Sequence, residues 1–495
     1  MKAVVRILPL SIVAAAALSL VACGGGGGGG GGTSAPAAAP TYTVSGSISG
    51  LTGSGLVLAQ SANGPQSTIA ATATTYDFPS IASGTNVTIS VQTQPYWQFC
   101  SVSGSAVGAV TASVSNVNVT CAAAAAVVST YAGSTGNTGL TDGTGSAAAF
   151  NSPSDVVIDA SGNLYVADTS NSEIRKITSG GVVTTFAGSA AGTAQPTGST
   201  SVDGSGVCPA NASNCVQSLF NQPSGLAVDA TGNIYVADSG NNEIRMITPA
   251  GVVTTVAGST TADHIDGPAV CPATATNCTP AAFSNPNALA LDSSGNIYVA
   301  DMGNNVIRMI TPAGIVSTLA GSGQAVSVDG TGTSAGFDQP WGIAIDASGN
   351  IYVSDNGGQK IRQVTAAGVV TTLAGSGSAK SADGTGTAAS FNYPAGIRTD
   401  KMGNIIVADS RNNSIRVVTP TGVVSTLAGS GSADSIDGTG TGAAFNWPYG
   451  VTVDASGNIY VADSSNNEIR LITPTDPSKA PAHIINSGAN AALTH

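Results

Sequence analysis

The sequence predicts an all-β chain, a six-bladed β-propeller preceded by a small Ig-like β-sandwich. Three observations carry that prediction. A block whose last copy reads F-N-W-P-Y-G-V-T-V-D-A-S-G-N-I-Y-V-A-D-S-S-N-N-E-I-R-L-I-T is written six times, with landmark phenylalanines at Phe150, Phe220, Phe283, Phe337, Phe391 and Phe445. Each copy reads as four short β-branched, apolar strands joined by Gly-bearing turns, and no copy has helical periodicity. The stretch just before the first copy matches the stretch leading into the last, as closure of a ring requires. Modules of this size cannot bury their apolar faces alone, and radial repetition of four-stranded sheets gives a propeller.

Residues 1–22 open with Lys2 and Arg6, run apolar to Val21 and lead into L-V-A-C at Cys23. A charged start, a short apolar core and small residues before a lone cysteine resemble a bacterial lipoprotein signal. The resemblance implies cleavage before Cys23, lipidation of its thiol and membrane attachment through that lipid. Gly24, rather than Asp, after the cysteine implies the outer membrane. Residues 23–40, nine glycines followed by T-S-A-P-A-A-A-P, form a tether reaching roughly 20–25 Å. Residues 41–123 carry Y-T-V-S-G-S-I-S-G-L, G-L-V-L-A, V-T-I-S-V and V-N-V-T-C between Gly and Ser turns, which predicts the sandwich. That unit resembles a module found after the anchor of bacterial surface lipoproteins, where it acts as a spacer.

Residues 127–474 hold the propeller. In the fourth copy the strands are expected at 342–345, 350–353, 360–364 and 369–374, with D-A-S-G-N and T-A-A-G as tight turns. The first two repeat steps are longer than the last three, so the early copies carry insertions. The sixth copy stops at its third strand, near Thr473. The segment from Val127 to about Ala132 therefore supplies its fourth strand and seals the sheet edge. Residues 475–495 form a C-terminal tail.

The motifs P-x-G-x-x-x-D, G-N-I-Y-V-A-D-S-x-N and E-I-R-x-I-T resemble the NHL repeat, in the same order six times over about 350 residues. The resemblance implies a binding or scaffolding module. The wider six-bladed group also includes lactonases and lyases, and fold alone does not choose among them.

Seven cysteines less the lipidated one leave six, which pair by proximity as Cys100–Cys121, Cys208–Cys215 and Cys271–Cys278. Even pairing in an exported chain reads as disulfides. The net charge of −12 excludes nucleic acid as a partner. Eighteen acids occupy three repeated slots: the D-G-x-x aspartates, the hairpin aspartates of D-x-S-G-N type, and the Asp ending strand two. Six arginines follow the third slot by seven residues. This predicts a structural ring of pairs: Asp168 with Arg175, Asp238 with Arg245, Asp301 with Arg308, Asp355 with Arg362, Asp409 with Arg416 and Asp463 with Arg470. The D-G-x-G loops read as structural turns, with calcium as the alternative; no other cofactor or metal is expected.

Catalysis is disfavoured. His264, His483 and His495 cannot furnish a histidine cluster, the glutamates Glu173, Glu243 and Glu468 fill one repeated position, and no serine has a nucleophile elbow. Where the copies differ, binding is indicated. Pro begins the innermost strand, so its neighbours should rim the channel mouth. Blades one to three place Ser152, Ser154, Gln222, Ser224, Asn285 and Asn287 there; blades four to six place Trp341, Tyr393, Trp447 and Tyr449. Arg398 stands deeper, where other blades carry Val157, Ala227, Ala290, Ala344 and Thr452. The disulfide loops enter the first strand, on the same face as the turns after the second, and should rim the same mouth near blades two and three; loops on a rigid scaffold carry recognition. The expectation is a monomeric, envelope-anchored binding module for a glycan, peptide or protein, with a lactonase- or lyase-like enzyme at the mouth as the alternative.

Overall fold

A computed structural model describes residues 39–61, 64–188, 201–208, 215–271 and 278–479. The expectations for the signal segment, lipidated Cys23, the tether and the tail from residue 480 onward lie outside the described residues.

The repeats form six five-stranded sheets, and each runs inner strand, second, third, fourth, then a two-residue edge strand. In blade four these are Pro340–Ile345, Ile351–Asp355, Lys360–Val364, Val369–Ala374 and Gly330–Thr331. The four-strand expectation therefore needs correction. The D-G-x segment of each incoming loop lies along the fourth strand as a fifth, as in Gly330–Val370 and Thr331–Val369. The inner strands touch in a closed cycle, blade six against blade one included. Blade six takes its fourth strand from Ala125–Gly133, which pairs antiparallel with Glu468–Thr475 from Glu468–Gly133 to Thr475–Ala125. The seam is thus two residues longer at its N-terminal end than the sequence indicated.

The core lies between blades. Six apolar clusters each span two neighbouring sheets, and each contains one landmark phenylalanine. Beside that ring sits the blade's arginine. In blade one Arg175 lies 5.5 Å from the centre of the Phe150 ring. Its Nη1 reaches Asp168 at 3.1 Å and its Nη2 reaches Asp142 at 2.7 Å. The pattern recurs in all six blades, so the D-G-x-x aspartate is the second partner of each arginine. The six arginines and the aspartates ending strand two are fully buried, and burial pushes Asp168 up to about 6 despite its Arg175 partner. A buried charge is tolerated when it is paired and hydrogen-bonded, and the cation also lies against an aromatic ring. The hairpin aspartates work locally: Asp159 accepts the N–H groups of Ser161 and Asn163 and the Asn163 amide.

The N-terminal unit has two four-stranded sheets facing each other across one apolar core. Cys100 and Cys121 are bonded between directly opposed residues of adjacent strands. The unit makes direct contacts with the propeller. Lys401 Nζ sits 4.5 Å from the Tyr96 ring centre, Ser54 Oγ donates to Met402 Sδ at 3.1 Å, and Trp97 packs against the cluster between blades five and six. These propeller partners flank the hairpin between first and second strands. The docking face is therefore opposite the end where the inner strands begin.

Candidate ligand site at the channel mouth

Each inner strand begins at Pro, and four of the six have Gly two residues later. At those positions the strands pass too closely for a side chain: a Cβ on Gly342 would lie 2.5 Å from Ala395 O, and one on Gly396 2.4 Å from Tyr449 O. The residue before each Pro has a left-handed backbone, including Tyr393 and Trp447 at φ 53°. In five of the six an amide side chain from the preceding blade accepts its N–H, as Gln359 does for Tyr393 and Asn413 for Trp447, whereas blade one has Ser172 in that slot. Positive φ is unfavourable for bulky side chains, so the backbone itself does not ask for aromatics there.

At this end the inner strands surround a bowl of about 200 Å³. Ser152, Ser154, Gln222, Ser224, Asn285 and Asn287 line one side, while Trp341 and Tyr449 line the other. The Trp341 and Tyr449 rings lie 5.4 Å apart, tilted by 37°, and both are half-buried. Hydroxyls tie successive blades around the wall. Ser154 donates to Ser224 O at 2.9 Å, Ser224 to Asn287 O at 2.7 Å and the Asn287 amide to Trp341 O at 3.2 Å. A second tier follows the residue after strand two: Thr169 donates to Pro223 O at 2.7 Å, Ser239 to Pro286 O at 2.5 Å and Ser410 to Pro448 O at 2.5 Å.

The other predicted residues lie elsewhere. Tyr393 and Trp447 do not line the bowl; they hold Arg411, whose guanidinium is 3.7 Å from the Tyr393 ring centre and 5.2 Å from that of Trp447. Trp447 meets Tyr449 edge-on at 6.2 Å, which joins the two aromatic groups. Arg398 does not present a free guanidinium to the mouth. It crosses the channel from blade five to blade one, where Nη2 reaches Asp155 at 2.9 Å, and it donates to the carbonyls of Leu226 and Ile397. Asp155 also accepts the N–H groups of Val156 and Leu226, both at 2.9 Å. Burial pushes its carboxyl up, with Arg398 opposing.

The pair floors the mouth. Above it is a void of about 20 Å³, room for one water. Below it the channel widens to about 240 Å³ between mainly aliphatic walls. Asp155 and Arg411 were missed, although each left a trace: Asp155 fills a slot held by Gly or Ala in the other blades, and Arg411 one held by Ser or Gly.

The disulfides Cys208–Cys215 and Cys271–Cys278 are formed, each with Cα atoms 5.7 Å apart. The expectation that their loops rim the mouth falls on residues 209–214 and 272–277, which lie outside the described residues. Gly206, just before Cys208, donates to Gly251 O in the turn entering blade two's fourth strand, which places the loop base on the outer edge. The sole described histidine, His264, is exposed and bonded to Thr318 Oγ1. Among the described residues there is no cluster of three or more His, Cys, Asp or Glu side chains arranged to hold a metal.

The NHL repeat profile matches residues 150–177, 220–245, 337–363, 391–418 and 445–470. By sequence, the chain is 30% identical over 271 residues to Protein SUPPRESSOR OF QUENCHING 1, chloroplastic, of Arabidopsis thaliana, covering 51% of this chain and 25% of that protein. It is also 30% identical over 292 residues to human NHL repeat-containing protein 2, covering 52% of this chain and 39% of that protein. It therefore spans between a quarter and two fifths of the length of these curated relatives. Among solved structures, a protein of unknown function from Bacteroides thetaiotaomicron superposes with a TM-score of 0.52 at 18% identity, covering 85% of this chain and 92% of the other. An auxiliary nutrient binding protein from the same organism gives 0.51 at 16% identity, covering 84% and 90%. At these identities the likeness is one of fold.

Proposed function

Starting from a β-propeller that carries NHL repeats, we propose that this protein is a monomeric binding module, attached to the cell envelope through a lipid on Cys23, and that it captures its ligand at the channel mouth. The observation that carries the reading is the bowl itself. Five blades contribute one concave surface whose hydroxyl and amide side faces an aromatic side, above a floor closed by Asp155 and Arg398, the latter from blade five. Pockets with apolar faces and a few convergent polar groups are where such folds bind small ligands or the tips of larger ones. Among the described residues the lining holds no carboxylate, ammonium or imidazole, which favours capture over acid–base chemistry. Docking of the N-terminal unit on the opposite face leaves the mouth uncovered by it.

The test is binding by the purified exported protein to glycan and peptide arrays, repeated with Trp341→Ala plus Tyr449→Ala. Loss of capture with an unchanged circular dichroism spectrum and Tm supports the reading. Capture that survives in the folded double variant places the site elsewhere.

A further inference from the structure

The neighbouring charges at the mouth are already committed. Arg411 is stacked between Tyr393 and Trp447, and Arg398 is paired with Asp155 under the floor. Among the described residues the bowl therefore offers only neutral groups, mostly Ser, Thr, Asn and Gln, opposite the faces of Trp341 and Tyr449. One of those neutral groups stands out. Ser464 occupies the slot whose counterparts Thr169, Ser239 and Ser410 each donate to the next blade's Pro carbonyl. Ser464 is 3% exposed, lines the bowl, and its Oγ has no hydrogen-bond partner. Buried hydroxyls are normally satisfied, and an orphan in a residue of a cavity wall is a position a ligand can complete.

Resting on the mouth reading above, we infer that the bowl takes the neutral terminal ring of a glycan. The C–H face of a pyranose lies on Trp341 and Tyr449, and one ring hydroxyl bonds Ser464 Oγ. A sugar ring has the required division, an apolar face and an edge of groups that both donate and accept. Serine, asparagine and glutamine side chains match that edge. A charged sugar would find no counter-ion in the lining, and a peptide would leave much of the hydroxyl side without a match.

The test uses the full exported protein with three probes: a panel of neutral methyl glycosides, glucuronate, and a capped neutral peptide bearing Tyr. Binding is followed by Trp fluorescence and saturation-transfer NMR. The expected result is binding of at least one neutral glycoside, with glucuronate at least tenfold weaker and the peptide silent. Trp341→Ala should abolish glycoside binding, Trp341→Phe should retain most of it, and Ser464→Ala should weaken it at least fivefold with Tm unchanged. Peptide binding lost in Trp341→Ala, with no sugar bound, overturns the glycan class and leaves the mouth reading intact. Sugar binding unchanged in both alanine variants overturns the mouth as the site. Sugar binding unchanged in Ser464→Ala alone overturns the role given to that hydroxyl. A wild type that responds to no sugar overturns the inference.

Discussion

The Asp155–Arg398 pair permits a quantitative test, because the repeat supplies its own neutral replacements. Arg398→Val installs the residue that blade one carries at the same strand position, Val157. It leaves Asp155 with its two backbone donors but without a counter-charge, at 8% side-chain exposure. Removing one partner of a buried pair costs about 3–5 kcal/mol, and access of channel water places this case near the lower end, about 3 kcal/mol. Asp155→Ala removes the acceptor for Arg398 and for the N–H groups of Val156 and Leu226, a loss of about 2–3 kcal/mol. Combining them removes the stranded guanidinium, so the double variant should be no less stable than Asp155→Ala. The coupling energy is then at least about 3 kcal/mol, the whole cost of Arg398→Val, measurable by urea unfolding followed by circular dichroism. The pH dependence carries a sign. Without Arg398 the folded-state pKa of Asp155 rises further above its unfolded value. The deficit of Arg398→Val should therefore shrink as pH falls towards 4 and be complete above the raised folded-state value. Additive single effects, with coupling under about 0.5 kcal/mol, would refute a direct cross-channel interaction.

Other outcomes follow from the same geometry. Deleting Ala125–Gly133 leaves the third strand of blade six without its partner along its whole length, so the variant should aggregate or lose cooperative unfolding; a soluble monomer with an unchanged Tm contradicts the seam. Removing Cys100–Cys121 should destabilise more than removing Cys208–Cys215, by about 1 kcal/mol on loop-closure grounds alone, because the bonds close separations of 21 and 7 residues; the reverse order in denaturant melts would sink that account. Burial pushes Glu173 up to about 7, with Arg175 opposing, and its Oε1 has no partner. A raised folded-state pKa means its favourable contribution is complete below about pH 4.5 and is lost as pH rises through about 7. Glu173→Gln should therefore stabilise relative to wild type at pH 8 by up to about 2–3 kcal/mol and lose that advantage at pH 4; parallel pH–stability curves would count against it.

Strand placement was legible because alternation, turn glycines and the opening Pro recur together, and repetition averages out the ambiguity of any one copy. The closing strand was legible for the same reason, since Val128 to Asn151 resembles Val424 to Asn446. The edge strands were not, because two residues such as Gly330–Thr331 carry no periodicity. The Asp168–Arg175 spacing placed both residues across one hairpin, and they pair. Asp142 lies 33 residues from Arg175, in a Gly-rich loop that reads as a turn, so its service to the same guanidinium needs three dimensions. The mouth was half legible. Positions beside Pro identify the rim, and in blades one to three both neighbours line the bowl, but the aromatics divide by one residue's step. Trp341 and Tyr449, just after Pro, enter the bowl, whereas Tyr393 and Trp447, just before it, turn to Arg411. Arg398 was correctly marked as unusual, yet its partner is 243 residues away and meets it only because the ring closes.

The sealed sixth sheet has a consequence for how the chain is made. Its fourth strand emerges before blade one, while its partner Glu468–Thr475 emerges after all the other blades. At about 5–20 residues per second of synthesis, roughly 300 intervening residues keep Ala125–Gly133 waiting for tens of seconds. During that interval five blades can stack on one another, but the circle has no clasp. The last step is then a single long-range snap between the earliest and latest strands. A circular permutant that joins residue 475 to residue 125 and opens a turn between two other blades would make the clasp local, and should reach the closed ring faster without altering its final stability.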